Sequence, residues 1–323
     1  MPGFLLVLRS HPGMSGDSAQ RIVSFLPAAT EMVYALGLGD RLFGVTHECD
    51  HPPEARHKQV VVRSVLAEGL RQREIDEEVK ARLQQGQSLY EADTEALTRI
   101  APDLIITQEL CSVCAPSGNE ISEVLKVLPK KPQILWLTPK TLDGIFDNLR
   151  EIGSATGRAA KAESLIARYR HELELIGGAA AADGERPRLF FMEWLDPVYC
   201  SGHWVPEMVH WAGGIDALGR AGQDSARIAW RDVLEYGPEI IVVAPCGFDL
   251  ERSAGAAQEL LPAYPGWRDL PAVRSSRVFA VDANSYFARP GPRVIAGTQL
   301  LAHLIHPEAV PWNGPSAFRQ VAR

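Results

Sequence analysis

Residues 158–176 have the sequence RAAKAESLIARYRHELELI, and apolar side chains recur along it at intervals of three or four. These positions are Ala162, Leu165, Ile166, Tyr169, Leu173 and Ile176. This spacing predicts that they share one face of an α-helix. At a rise of about 1.5 Å per residue, the helix is roughly 28 Å long, about the width of a small domain. Gly177 and Gly178 follow it and are predicted to end it.

On both sides of this helix, short apolar runs alternate with helical patterns. Before it, strands are predicted at 22–26, 43–47, 60–63, 104–107 and 134–137, and helices at 28–36, 71–87, 94–100, 121–128 and 142–152. After it, strands are predicted at 189–194, 240–244 and 278–281, and helices at 205–212 and 293–305. Such alternation is typical of parallel βα units. We therefore predict an α/β fold of two small parallel-sheet lobes, joined by one long backbone helix, with a ligand cleft between the lobes.

The predicted organisation has six parts. They are a disordered leader (1–20), an N-terminal α/β lobe (21–138), connecting helices (139–178), a linker (179–187), a C-terminal α/β lobe (188–308) and a tail (309–323). A single stiff helix between lobes permits small rocking but resists wide hinge closure.

The composition excludes several classes of function. Of the 323 residues, 46% are hydrophobic and 23% are charged, as in soluble globular proteins. The formal net charge of −7 provides no basic field for nucleic acid or an anionic membrane. No apolar run reaches the roughly 20 residues that span a bilayer.

The N-terminal segment predicts the location of the protein. The apolar run Phe4–Leu8 is shorter than the ~7–15 residues of a secretory signal, and Arg9 lies on the wrong side of it. We therefore expect a cytoplasmic protein, with Met14 as an alternative start. The five cysteines would then be thiols rather than disulfides.

Polar and aromatic residues gather in the segments that follow predicted strands. The first half of the chain places there His47, Glu48, Cys49, Asp50, Glu109, Cys111 and Cys114. The second half places there His203, Trp204, Cys246, Gly247, Phe248, Tyr286 and Arg289. Ligands bind at the carboxyl ends of strands in open α/β sheets, so we predict that these residues line the ligand site.

Four residues of the second half have specific predicted roles. Trp204 offers a flat apolar surface for a macrocycle, and His203 a hydrogen bond or an axial ligand. Gly247 lets the backbone approach a ligand, and Arg289 binds a carboxylate, amide or phosphate. The alternatives are a helix staple for Trp204, an ordinary turn for Gly247 and a salt bridge from Arg289 to Asp282.

The cysteines leave several interpretations open. Cys111-Ser112-Val113-Cys114 has the CxxC spacing of half a zinc site or of a redox pair. Cys49 and His47 would complete a Cys₃His site if the two loops meet. The alternatives are small thiols that pack or line the ligand, and a capped turn before Pro52 for residues 47–50.

Several motifs resemble those of helical-backbone (class III) substrate-binding proteins, the receptors of bacterial importers for cobalamin, iron chelates and haem. They are Leu26-Pro27-Ala28-Ala29-Thr30-Glu31, Asp50-His51-Pro52-Pro53, Pro102-Asp103-Leu104-Ile105-Ile106, Ala212-Gly213-Gly214, the segment 230–238 and Arg289-Pro290-Gly291-Pro292-Arg293. The resemblance covers roughly residues 21–307 and is nearest to the cobalamin-binding receptors. It implies two α/β lobes bridged by one long helix, with the ligand in a shallow cleft between them.

The resemblance also concerns a docking surface. In cobalamin receptors, each lobe presents a glutamate to the membrane transporter. Glu95 matches the first of these, whereas the second falls on Arg231, with Asp232 beside it. This charge reversal weakens the expectation of docking to an ABC permease and implies a branch that holds a ligand without delivering it.

Three functions follow, in this order. The first is a monomeric, non-enzymatic binding protein for a corrinoid (cobalamin-like) ligand, with no required cofactor and no nucleic-acid partner. The second is a binding protein for a metal or metal chelate (iron, haem or zinc), with Cys49, Cys111, Cys114, His47 and His203 as ligands. The third is a thiol- or metal-dependent enzyme, which ranks last because no nucleophile elbow, P-loop, HExxH or GxGxxG occurs.

Overall fold

The first half of the chain forms a six-stranded sheet in the computed structural model, which describes residues 18–67, 69–85, 87–108, 124–126 and 128–321. Its strands are β1 (Ile22–Ser24), β2 (Leu42–Thr46), β3 (Gln59–Ser64), β4 (Tyr90–Ala92), β5 (Leu104–Gln108) and β6 (Gln133–Leu137). They lie in the order β4-β3-β2-β1-β5-β6, and all neighbours are parallel except β3 and β4.

The second half forms another six-stranded sheet. Its strands are β7 (Leu189–Trp194), β8 (Tyr199–Cys200), β11 (Ala226–Arg227), β12 (Ile240–Val243), β13 (Val278–Val281) and β14 (Phe318–Gln320). They lie in the order β11-β8-β7-β12-β13-β14, with a parallel centre of β7, β12 and β13. A separate short pair consists of β9 (Gly202–His203) and β10 (Arg220–Ala221). The predicted α/β fold with two parallel-rich sheets is confirmed.

Helices cover and connect the sheets. They are α1 (Pro27–Ala35), α2 (Gln72–Gln84), α3 (Thr94–Ile100), α4 (Leu142–Ala155), α5 (Ala159–Ala182), α6 (Val205–Trp211), α7 (Trp230–Tyr236), α8 (Leu250–Leu260), α9 (Pro271–Arg274), α10 (Ala283–Tyr286) and α11 (Val294–Ile305). Several start at side-chain caps: Asp93 accepts from the Ala96 amide at 2.8 Å, and Thr141 accepts from the Gly144 amide at 3.0 Å. Within the described residues, no helix is both long enough and apolar enough to cross a membrane.

The connecting helix α5 is longer than predicted. It has 24 residues and continues through Gly177 and Gly178 to Ala182, so the predicted linker at 179–187 begins later. A Cβ atom on Gly177 would lie 2.9 Å from the Trp211 ring, so glycine lets the helix pack closely on α6. Helix-favouring alanines and the burial of Ala180 outweigh the low helix propensity of two glycines.

The predicted tail at 309–323 also contains ordered structure. Its strand β14 pairs antiparallel with β13, with Arg319 opposite Ala280. The second sheet therefore gains an edge strand from the last residues of the chain, which the sequence pattern did not predict because the strand has only three residues.

The two lobes share one hydrophobic core. A single cluster of buried residues contains Leu26 and Met32 of the first lobe, Leu165 of α5, and Met208 and Leu301 of the second lobe. The apolar stripe predicted for the connecting helix is buried in this cluster. The helix therefore joins the lobes by packing as well as by the covalent chain.

Helix α2 of the first lobe reaches the second lobe. The buried Gln72 Oε1 accepts hydrogen bonds from the amides of Leu195 at 2.8 Å and Asp196 at 3.3 Å. Arg73 pairs with the Asp196 carboxylate at 2.8 and 3.0 Å, and Arg227 lies 3.3 Å from Asp76. We call α2 with these contacts the inter-lobe strap.

A second link between the lobes is a buried group of charges, which we call the ion cluster. It consists of Glu31 and Asp50 from the first lobe and Arg289 and Arg293 from the second. Arg293 donates to both oxygens of Glu31, at 2.6 and 3.0 Å. Arg289 donates to Asp50 Oδ1 at 2.5 Å and to the Glu48 carbonyl oxygen at 2.9 Å. Arg289 is 7% exposed and Glu31 is 4% exposed, so water does not compensate these charges.

The ion cluster corrects the prediction for Arg289. Its guanidinium is engaged by the first lobe instead of lining the ligand site. The alternative partner Asp282 is also excluded, since its carboxylate caps α10 by accepting from the Ser285 amide at 2.9 Å. Burial alone raises the pKa of Asp50, but the hydrogen bond and charge of Arg289 hold that pKa below its ordinary value.

We expect Arg289→Ala to lower the free energy of unfolding by about 1.5–3 kcal/mol, because Asp50 loses the hydrogen bond of its nearest cation and the Glu48 carbonyl oxygen loses its donor. Arg289→Lys keeps the charge but loses one hydrogen bond, so its loss should be smaller. Urea unfolding followed by circular dichroism measures both. A loss below about 1 kcal/mol for Arg289→Ala would show that the cluster does not hold the lobes together.

The lowered pKa of Asp50 predicts acid sensitivity. The stability that a carboxylate of depressed pKa contributes is present above its unfolded pKa of about 3.9 and is lost as pH falls through the folded value. Asp50→Asn should therefore be less stable than the wild type near neutral pH, and this difference should shrink below about pH 4. Urea midpoints measured across that range test the sign; a difference that grows on acidification contradicts it.

The inter-lobe strap predicts unequal effects for two neighbouring substitutions. Gln72→Ala should cost about 1–3 kcal/mol, because two buried backbone amides lose their acceptor. Arg73→Ala, the matched control, should change stability too little to resolve, since its ion pair lies at the surface. Equal losses in urea unfolding would contradict this assignment.

Candidate functional site

A pocket lies between the lobes at the carboxyl ends of β5, β7 and β12. Its cavity volume is about 60 Å³. The described residues that line it are Gln108, Phe191, Glu193, Gly202, His203, Trp204, Val205, Ala244, Cys246, Phe287, Ala288 and Pro290. Gln108 comes from the first lobe and the others come from the second, so the pocket joins the two halves at the sheet edge where ligands bind.

Aromatic side chains form one part of the pocket wall. The Trp204 indole donates from Nε1 to the Phe287 carbonyl oxygen at 3.0 Å and is only 6% exposed. The rings of Phe191 and Phe287 meet edge to face, with centroids 5.2 Å apart. These contacts fix an apolar surface whose orientation does not depend on a ligand.

Glu193 is the acidic group of the pocket. Its Oε1 accepts from the Ser225 hydroxyl at 2.6 Å, and its Oε2 accepts from the Gly202 amide at 3.3 Å. Burial raises the pKa of Glu193. A Cβ atom on Gly202 would lie 2.3 Å from the Ser225 amide nitrogen, so glycine is required for the approach of these segments.

His203 lies beside Glu193 in the pocket wall, in a left-handed conformation with φ of 52°. Its Nε2 is 3.2 Å from Asp224 Oδ1, which also accepts from Lys140 at 3.3 Å. Burial lowers the pKa of His203, against the opposite effect of Asp224. The imidazole is therefore held in place by a partner on its outer side.

Gln108 is the first lobe's contribution to the pocket. It ends β5, is 5% exposed, and its Oε1 has no hydrogen-bond partner among the residues that the structure describes. A buried amide oxygen without a partner is unfavourable, so this atom is available to a donor on a ligand.

Of the predicted site residues, the structure brings His203, Trp204 and Cys246 to the pocket. Cys246 is exposed, and Gly247 follows it in a turn with φ of 78°, a conformation that glycine adopts readily. Contact of these residues with a ligand remains a prediction.

Two predicted aromatic residues pack in the interior instead. Phe248 meets the Trp194 ring at 5.6 Å and the Arg252 guanidinium at 3.9 Å. Tyr286 is 9% exposed and meets the Trp312 ring at 5.8 Å. Neither ring is among the described residues that line the pocket, and contact of either with a ligand remains a prediction.

The first polar cluster separates into three environments. His47 and Glu48 are exposed and are absent from the pocket wall, and Asp50 belongs to the ion cluster. The Cys49 thiol is 4% exposed and lies 3.1 Å from the Thr30 hydroxyl and 3.3 Å from that of Thr46. Burial raises the pKa of Cys49. These four residues therefore do not form one ligand surface.

The predicted metal site is not assembled in the described part of the chain. Cys49 faces two threonine hydroxyls, and within the described ranges no group of three or more His, Cys, Asp or Glu side chains is placed to hold a metal ion. Glu109, Cys111 and Cys114, which were also predicted site residues, lie outside the described residues.

The residues assigned to a docking surface are accessible. Glu95 lies exposed in the first turn of α3, and Arg231 lies in the first turn of α7 with 81% of its side chain exposed. Asp232 accepts from the Ala229 amide at 3.3 Å and so helps to start α7. Its carboxylate therefore has a structural role in addition to any contact with a partner.

The sequence pattern missed Gln108, Glu193 and Ser225. Gln108 directly follows the predicted strand at 104–107, and Glu193 lies within the predicted strand at 189–194, so neither was considered as a site residue. Each is a polar residue near the carboxyl end of such a strand. That position was the available signal, since strand ends face the ligand edge of the sheet.

Known proteins resemble this chain along most of its length. The vitamin B12-binding protein of Vibrio parahaemolyticus is 24% identical over 285 residues, which cover 87% of this chain and 88% of that protein. An uncharacterized ABC transporter substrate-binding lipoprotein of Bacillus subtilis is 25% identical, over 90% of this chain and 81% of that protein. A periplasmic heme binding protein from Pseudomonas aeruginosa superposes with a TM-score of 0.69 at 20% identity, over 94% of this chain and all of that chain.

These relatives overturn the predicted cytoplasmic location. One is a lipoprotein and another is periplasmic by name. The prediction is therefore wrong. It rested on the apolar run Phe4–Leu8 alone, whose composition is independent of the fold and of the ligand pocket.

A family model also matches the chain directly. It is the model of the periplasmic binding protein family, and it matches residues 22–285, which include the first sheet, the connecting helix and the second sheet except β14. The inter-lobe pocket, the connecting helix and this match agree with one another. The chain belongs to the periplasmic binding protein family, whose members are substrate-binding proteins.

Proposed function

We propose that this protein binds a corrinoid, a ligand of the vitamin B12 class, in the pocket between its lobes, without catalysing a reaction on it. The observation that carries the proposal is the inter-lobe pocket with its fixed aromatic wall of Trp204, Phe191 and Phe287. Relatives named vitamin B12-binding proteins, 24–25% identical over 86–87% of this chain, support the choice of ligand.

The shape of the pocket suits one side of a large, flat ligand. The cavity itself holds only about 60 Å³, so it would receive an edge or a side group of a macrocycle while the remainder lies towards solvent. The Trp204 indole presents an apolar surface and satisfies its own N–H internally, so ligand contact leaves no buried donor unpaired.

A second depression is a weaker candidate for the site. It is larger, at about 590 Å³, but its lining comes from α1, residues 37–40, 51–54 and 292–293. None of these residues lies at the carboxyl end of a strand, and Glu31 and Arg293 in its wall already pair with each other. The location and the engaged charges therefore favour the pocket at β5, β7 and β12.

We also propose that the protein serves an ABC importer as its receptor. Substrate-binding lipoproteins of such transporters are among its relatives. Glu95 on α3 and Arg231 on α7 are exposed, one on each lobe, and are the proposed contacts with the permease. Since these two side chains differ in charge, the partner would present one basic and one acidic surface to them.

Titration of the purified protein with cyanocobalamin, followed by isothermal calorimetry, tests the ligand. We expect a dissociation constant of about 1 μM or tighter. Trp204→Phe should weaken binding about tenfold, because the smaller ring covers less of the ligand and loses its anchor on Phe287. Trp312→Phe is the matched control, since Trp312 lies outside the pocket.

Mass spectrometry of the released ligand should show an unchanged mass, as expected of a binding protein without catalysis. The absence of binding at ligand concentrations up to about 0.1 mM would reject the proposed function. Equal weakening by the two tryptophan variants would place the ligand elsewhere on the protein.

A further inference from the structure

The described wall of the pocket contains acceptors and no cation. Its ionisable side chains are Glu193, His203 and Cys246, and no Lys or Arg is among its described lining residues. Burial lowers the pKa of His203, which favours its neutral form near neutral pH. The described polar groups of the pocket therefore favour hydrogen-bond donors on a ligand over anions, and the aromatic surfaces do not determine this preference.

The nearest arginines on the chain are engaged elsewhere. Ala288 and Pro290 line the pocket, but the side chain between them, Arg289, donates to Asp50 and to the Glu48 carbonyl oxygen. Arg293 is likewise paired with Glu31. If either arginine left its carboxylate to contact a ligand, that carboxylate would lose its cation, which is unfavourable in a buried site. The arginines of the ion cluster therefore do not contribute positive charge to the pocket.

At the rim, Lys140 is also paired. Its ammonium lies 3.3 Å from Asp224, the residue that holds His203. Because one carboxylate serves both groups, the rim contributes little net positive charge to the pocket.

Glu193 is held in a fixed orientation and can accept further hydrogen bonds. Each of its two oxygens accepts one protein hydrogen bond, from Ser225 and from Gly202. Each oxygen has a second lone pair that can accept a hydrogen bond from a ligand. A ligand N–H suits these lone pairs, whereas an ionised ligand carboxylate brings only acceptors to them.

Gln108 adds a second acceptor from the opposite lobe. Its Oε1 is buried at the pocket wall and has no partner within the described ranges of the chain. A ligand N–H would satisfy this oxygen, and a ligand carboxylate would not.

We propose that Glu193 and Gln108 are specificity-determining residues that select a ligand group bearing carboxamide N–H donors and reject carboxylates. This inference rests on the proposed function and narrows it. Corrinoids carry carboxamide side chains, whereas haem carries two carboxylates. Corrinoids and haem share a large, flat shape, so the pocket would distinguish them by the polar groups at their edges.

Calorimetric titration with three probes near neutral pH tests the inference. The probes are cyanocobalamin, its monocarboxylic acid, in which one carboxamide is hydrolysed, and haemin. The wild type should bind cyanocobalamin at least about tenfold more tightly than the other two. Glu193→Gln keeps an acceptor and adds N–H donors, so it should raise the affinity for both carboxylates by about tenfold. Its affinity for cyanocobalamin should change by less than about threefold.

Two further variants separate recognition from folding. Gln108→Met removes the amide at similar size, so it should weaken cyanocobalamin binding about fivefold without lowering the thermal unfolding midpoint. Glu172→Gln removes the same charge as Glu193→Gln from the exposed side of α5 and is the matched control. It should leave all three affinities unchanged.

The outcomes distinguish this inference from the proposed function. Tight binding of cyanocobalamin with no preference over its monocarboxylic acid overturns the inference and leaves the proposed function intact. The same holds if Glu193→Gln and Glu172→Gln change the affinities equally. Binding of haemin without cyanocobalamin overturns both, and binding of no probe rejects the proposed function itself.

Discussion

The architecture depends on one buried ionic contact between the lobes. Arg289 and Arg293 of the second lobe meet Asp50 and Glu31 of the first, and Arg289 and Glu31 are almost fully buried. Buried charges require partners of opposite sign. Any separation of the lobes at this point would therefore leave the four charged side chains of the ion cluster without their partners. The contact therefore fixes the spacing of the lobes independently of the hydrophobic core that they share.

This constraint also determines the chemistry that remains for a ligand. Arg289 and Arg293 are engaged in ion pairs that hold the lobes together. The inter-lobe strap adds a second contact between the lobes, through Gln72 and the residues that follow β7. What faces the pocket is a set of acceptors and aromatic surfaces. Stability and selectivity are thus coupled, because the residues that join the lobes are those that a carboxylate ligand would otherwise use.

Sequence patterns succeeded where the decisive interactions are local. The apolar stripe of α5 is set by a repeat of 3.6 residues, and the structure buries it as predicted. The end of α5 was mispredicted because Gly177 is required by Trp211, a residue distant along the chain. Phe248 and Trp204 both follow predicted strands, yet one is enclosed by Trp194 and the other lines the pocket. Nothing local distinguishes the two.

By itself, the sequence determined the α/β class, the two lobes, the connecting helix and the strand ends at which a site should lie, since each follows from periodicity over a few residues. Only the tertiary structure decided which polar groups serve the ligand and which serve the fold. Arg289 and Asp50 are 239 residues apart in the chain, and their pairing follows from how two lobes pack on one helix. Short-range patterns carry no information about such a partner, so an arginine that binds a ligand and an arginine that joins two lobes have the same appearance in sequence.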